Sequence, residues 1–292
     1  MTSTIIGVAL PLLVMMAMTI VGLELTVDDL ARVLHYPAEV AAGVLGQILA
    51  LPLIAAALIL VLRPEPAVAG GLILAAAAPQ AMTSNYYCLL GRANVALSVT
   101  LTAVSSVVAL ASTPLVSDLA FGMLLERDAG FALPAGKVMQ QVLTGLLLPV
   151  GAGMLVRHRA PGFVERNRVR FQRLTAVTIA AMLVIILVDQ ADTVRRNLAS
   201  IVSAALLFTV GAAAVGLGIA RALSRPRGDA LALLAAFPSR SLSIATLIAV
   251  NVLGRLDFLA FAATFFLVQA ALLVPAMLLA RPGSADSGGT SL

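Results

Sequence analysis

The chain has 292 residues, of which 61% are apolar and only 11% charged, with a formal net charge of +5. Soluble domains carry roughly 25% charged residues, so this composition, with a mean hydropathy of +1.04, excludes a soluble enzyme, a disordered chain and a disulfide-stapled module. The single cysteine, Cys88, leaves no intrachain disulfide, and His35 and His158 lie too far apart in the chain to build a conventional zinc site with it.

Apolar runs broken by charge and proline fall at residues 4–25, 36–62, 66–90, 95–121, 137–156, 172–188, 198–222, 226–253 and 256–280. A spanning helix takes about 20 residues, so these predict nine transmembrane helices in one unit over residues 1–281. A Gly- and Ser-rich tail, 282–292, reads as disordered and cytoplasmic. The first run has no basic segment ahead of it and reads as a retained span, not a cleaved signal peptide. Alternating loops hold twelve and six basic residues, with Arg240 left inside a span. The more basic set stays cytoplasmic, which predicts an integral cytoplasmic-membrane protein with its N-terminus outside and its C-terminus inside.

Two spans are irregular. The third runs apolar to Ala78, then meets Pro79-Gln80-Ala81-Met82-Thr83-Ser84-Asn85 before resuming at Tyr86. The eighth runs apolar to Phe237, then meets Pro238-Ser239-Arg240-Ser241-Leu242-Ser243 before resuming at Ile244. Proline removes a backbone donor and clashes with the preceding turn, so Pro79 and Pro238 predict helix breaks. Proline kinks are common in membrane helices, but each of these is followed at once by polar side chains. When spans one to four are paired with six to nine, the two irregular spans also match, in opposite orientation. Interrupted helices at corresponding places of inverted repeats point to the binding site of a secondary transporter.

At these residues the chain resembles the bile acid:sodium symporter family. Gly22-Leu23-Glu24-Leu25-Thr26 is similar to an early family segment, and Gln47 stands where the family carries a Gln ahead of a Met-Pro-Leu stretch. Pro79 to Asn85 resembles the family's Pro-Gly-Gly-Thr-x-Ser-Asn, and Gly91 to Thr100 resembles the stretch after it. The resemblance implies an all-α inverted-repeat fold of ten helices, the first missing here, with a core domain of two crossed discontinuous helices beside a panel domain. It implies transport of an organic anion, usually coupled to sodium, with Gln47, Ser84, Asn85, Ser98 and Thr102 as ion-site matches. By spacing alone, Ser98 and Thr102 share a helix face, and their hydroxyls have the alternative of bonding back to carbonyls one turn earlier.

The second broken helix departs from the family's Glu-x-Gly-x-Gln-Asn. Ala236 stands at the carboxylate position, Arg240 at the Gln and Ser241 at the Asn; in the first motif Gln80-Ala81 replace Gly-Gly and Met82 the Thr. All fourteen carboxylates fall in loops or near span ends. An arginine inside a span costs about 2.5–3.5 kcal/mol on insertion scales and faces a partner or a cavity. Arg240 therefore either satisfies backbone carbonyls at the break or serves as a built-in cation, standing where sodium would sit, that meets a substrate anion.

The sequence shows no Walker-type Gly-Lys-Ser/Thr, no His-Glu-x-x-His and no central acid–base pair, so it reads as a non-enzyme without cofactor beyond a possible sodium ion. The expected function is secondary transport of a bile-acid-like or small carboxylate or sulfonate anion by alternating access. Thr83, Ser239, Arg240 and Ser241 are the expected substrate contacts. Sodium coupling follows from the resemblance; the lost Glu and the added Arg favour sodium-independent or proton-coupled transport. A non-transporting anion receptor is a further alternative. The expected partners are the lipid bilayer and the anion, with no nucleic acid.

Overall fold

The computed structural model describes residues 2–24, 32–124, 140 and 143–281. The tail 282–292 and the start of the run at 137–156 lie outside them. The described residues form helices α1 (Thr2–Glu24), α2 (Pro37–Leu62), α3 (Pro66–Ala77), α4 (Thr83–Gly91) and α5 (Val95–Leu124). They continue with α6 (Leu148–Arg159), α7 (Pro161–Arg166), α8 (Arg168–Asp189), α9 (Ala191–Ala222), α10 (Arg227–Ala236), α11 (Leu242–Leu247) and α12 (Phe258–Leu279). A 3-10 turn, Arg32–His35, leads into α2, and π turns at Leu143–Leu147 and Ile248–Val252 flank α6 and α11.

Helix and apolar run are not the same length. α8 and α9 begin at Arg168 and Ala191, ahead of the apolar runs at 172 and 198, because Arg, Gln and Asn sustain helical hydrogen bonding that a hydropathy boundary cannot register. Among the described residues, α2, α8, α9 and α12 are long and apolar enough to cross a membrane. α5 makes a fifth when its halves, bent by 64°, are taken as one span. Pro114 lies just past that bend, and its ring opposes the carbonyl four residues earlier.

α3 is apolar and buried on every side, from Ala67 to Ala77, as a helix without a polar face must be. It packs against α2, α5 and α12, while α9 packs against α2, α10 and α12. A second group, α1, α6 and α8, is joined by α1, which packs on both of the others and on α11. The short broken helices thus lie at the centre, walled by long ones.

Loop contacts tie the helix ends together. At one end Asn94 donates to Asp229 Oδ1 (2.8 Å), Arg225 pairs with the buried Glu39 (2.9 Å), Arg227 donates to Ala280 O (2.8 Å) and Arg281 to Leu90 O. At the other end Asn197 donates to Glu65 (2.9 Å). Asn94 also accepts from Leu97 N–H at 3.0 Å, closing the first turn of α5. Asn94→Ala removes this cap and the tie to Asp229 together. It is expected to cost about 1–2 kcal/mol, read as a lower thermal unfolding midpoint in detergent.

Candidate functional site

The two breaks meet. α3 ends just before Pro79 and α10 just before Pro238, and the unwound segments pair as an isolated antiparallel bridge with Gln80 opposite Arg240. Ala81 N–H donates to Ser239 O at 2.8 Å, and Ser241 N–H donates to Pro79 O at 3.0 Å. Backbone groups freed by proline need partners among apolar helices, and here each break satisfies the other.

Arg240 is buried at the crossing. Its Nε donates to Ala75 O at 3.4 Å, its Nη2 to Ala78 O and its Nη1 to Gln47 Oε1 at 3.0 Å. Ala75 and Ala78 lie at the C-terminal end of α3, where helix carbonyls lack partners and the helix dipole is negative. Thr113 of α5 donates to Ala77 O between them (2.9 Å). Arg240 therefore caps a helix end with a full positive charge. Among the described residues no carboxylate lies within ion-pair distance of it.

From Gln47 a chain of hydrogen bonds runs to the face of α5. Gln47 Nε2 donates to Gln80 Oε1 at 3.1 Å. Gln80 Nε2 then lies 2.8 Å from Ser84 Oγ, 3.0 Å from Thr102 Oγ1 and 3.3 Å from Ser98 O. Ser98 Oγ donates to Asn85 Oδ1 (2.7 Å), and Thr102 Oγ1 donates back to Ser98 O (2.9 Å), the local bond its spacing allowed. Gln47, Ser84, Asn85, Ser98 and Thr102 are thus brought into one cluster. Gln80, noted in the sequence only as a replaced glycine, is its hub. A long amide directly after the proline of a break was the signal for it.

Sodium takes oxygen ligands directed at a common point. The oxygens of Ser84, Ser98 and Thr102 converge, but on the NH2 group of Gln80. Gln47 Oε1 is taken by Arg240, and Ala236 offers no side-chain oxygen. The donor set does not fit sodium.

A cavity of about 670 Å³ opens beside the crossing, between α1, α6 and α8 on one side and α4, α5 and α11 on the other. Thr83 and Ser241 line it, as do Gln80 and Thr102. Thr83 Oγ1 is buried without a hydrogen-bond partner. Ser239 and Arg240 do not line it: Ser239 Oγ donates to Ala235 O at 2.6 Å, and Arg240 turns to α3. Among the described residues, the charged side chains on its wall are Glu24, marked in the sequence only as part of an early segment, and Arg173, which no motif had marked. They come from the ends of α1 and α8, and only packing brings them together.

Residues 10–197 match the family described as the sodium bile acid symporter family. The match includes the first break and ends ahead of the second. The chain is 36% identical over 146 residues to the probable sodium/metabolite cotransporter BASS2, chloroplastic, of Oryza sativa subsp. japonica, covering 50% of this chain and 33% of that protein. It is 38% identical over 150 residues to the probable sodium/metabolite cotransporter BASS1, chloroplastic, of Arabidopsis thaliana, covering 51% and 34%. It is also 31% identical over 136 residues to the uncharacterized sodium-dependent transporter YocS of Bacillus subtilis (strain 168), covering 47% and 40%. The matched part spans only a third to two-fifths of these relatives. The chain belongs to the sodium bile acid symporter family, a family of transporters and not of enzymes.

Proposed function

We propose that the chain is a secondary transporter that moves an organic anion across the cytoplasmic membrane by alternating access. The observation that carries the reading is the crossing of two broken helices beside a cavity between two helix groups. A cavity of about 670 Å³ is within the ~300–1,000 Å³ usual for small-molecule sites. Its wall is mostly apolar, with Thr83, Ser241, Ser106 and Thr175 among its polar points, the carboxylate of Glu24 at the end of α1, and Arg173 as the cation available to an anion. That suits an anion with an apolar body, such as a bile-acid-like molecule or a carboxylate or sulfonate of similar character.

In this reading α1, α6 and α8 form a panel, the remaining long helices form the core, and nine spans in inverted repeats cross the membrane. The loops at Arg92, Arg225, Arg227 and Arg281 share one end, which by the basic-residue rule is cytoplasmic. The cavity wall reaches Val169, Gln172 and Arg173 at the start of α8, next to Arg157, Arg159, Arg166, Arg168 and Arg170, a basic stretch that the same rule assigns to that side. The cavity therefore belongs to an inward-facing state.

Counterflow into proteoliposomes tests the proposal, with a labelled bile-acid-type anion and a labelled short carboxylate as probes. Exchange of either, absent from empty liposomes, supports transport; binding without exchange would identify a receptor instead. Thr83 supplies a finer check. Its hydroxyl has no protein partner, so Thr83→Val should leave stability unchanged. If that hydroxyl holds the substrate, the variant should raise the KM for uptake about tenfold.

A further inference from the structure

We infer that the polar centre of this chain excludes sodium, because Arg240 fixes the direction of each amide that leads to it. The inference deepens the transporter reading: it makes transport independent of a sodium gradient.

A guanidinium has only donors. Gln47 must therefore present Oε1 to Arg240 Nη1, 3.0 Å away, which leaves its Nε2 for Gln80. Gln80 must in turn present Oε1 to Gln47, at 3.1 Å. Its NH2 group is then the end that faces Ser84 Oγ, Thr102 Oγ1 and Ser98 O. The far end of the chain agrees independently, since a backbone carbonyl such as Ser98 O can only accept. Both ends dictate the same polarity.

Reversing the Gln80 amide would offer an oxygen to a cation at this point. It would also set NH2 against the NH2 of Gln47 and oxygen against Ser98 O. Gln47 cannot turn to relieve the first contact without setting its own NH2 against Arg240. Gln47, Gln80, Ser98, Thr102 and Arg240 are all buried, so each group set against its like would lose its protein hydrogen bond in a setting where that loss is costly. The NH2 group of Gln80 thus stays among the oxygens on which a cation would depend. The permanent charge of Arg240 stands two side chains away, and position 236 is a buried alanine instead of a carboxylate. A like charge and a missing counter-charge both oppose a second cation.

The test needs no substrate, so its failure is separate from any failure of the transport reading. The thermal unfolding midpoint of the purified protein is measured in sodium, potassium and choline chloride at one ionic strength. The expected midpoints agree within the reproducibility of the measurement. A rise of about 2–4 °C specific to sodium, the shift for a protein of this size at roughly ten times a dissociation constant, would overturn the inference. A second arm combines Gln80→Gly, Ala236→Glu and Arg240→Gln. If this variant folds, as judged by size-exclusion chromatography, it should acquire a sodium-specific rise. A folded variant still indifferent to sodium would overturn the assignment of the block to these positions. If it does not fold, the wild-type arm decides alone.

Discussion

Arg240→Ala is expected to lower the thermal unfolding midpoint substantially and to abolish anion counterflow. The substitution orphans three buried acceptors at once: Ala75 O, Ala78 O and Gln47 Oε1. Each costs about 1–3 kcal/mol when left without a partner. Against this stands relief of a buried charge, which on insertion scales is about 2.5–3.5 kcal/mol. The acceptors outweigh it, because the lost side chain also leaves a void and an uncapped helix end. The net loss should be roughly 2–5 kcal/mol. Arg240→Lys should fall between the two, since an ammonium keeps the charge but cannot reach both carbonyls and the amide with one planar fork. Were Arg240→Ala as stable as the parent, the capping role would be lost, and the charge would have to act on a ligand instead.

The second large effect lies outside the crossing. Gly153→Val is expected to pry α1 from α6. A Cβ added at Gly153 would lie 2.2 Å from Thr19 O, and one added at Gly22 would lie 2.1 Å from Val150 O. In both cases the obstacle is backbone, which cannot swing aside as a side chain does. Small residues that let membrane helices approach this closely are the usual basis of such contacts. Overpacking costs about 1–3 kcal/mol in ordinary cores, and the upper part of that range is expected here. α1 and α6 both wall the cavity, through Met18 and Val21 on one and Val150 and Met154 on the other, so uptake should fall with stability. Gly218→Ala is the control. A Cβ there meets nothing within 4 Å, and the midpoint should hold or rise slightly from the gain in helix propensity.

The reading of Arg240 shows where local pattern stops. That it lies within a broken helix followed from its neighbours in the chain, since every other charge falls in a loop or near the end of an apolar run. Whether its donors meet an anion or helix carbonyls could not follow from them. Ala75 and Ala78 are 165 and 162 residues away and reach it only because the breaks cross. Gln80 makes the same point from the other side. As a residue in a motif it is one substituted glycine; as a side chain it gathers Gln47, Ser84, Ser98 and Thr102 around one amide.

The sequence by itself determined the solvent, the helical class and the two breaks. Each of these is local physics: apolar residues in runs long enough to span, few charges, and proline where a helix needs a donor. It also carried the family, because Pro79 to Asn85 and the stretch after it keep their order along the chain. Tertiary structure alone decided what the polar residues do. Hydrogen-bond direction depends on which acceptor faces which donor across helices far apart in the chain, and no spacing encodes that. The crossing set Arg240 against the end of α3, turned the Gln47 and Gln80 amides in sequence, and gave the neighbouring cavity to Thr83 and Ser241.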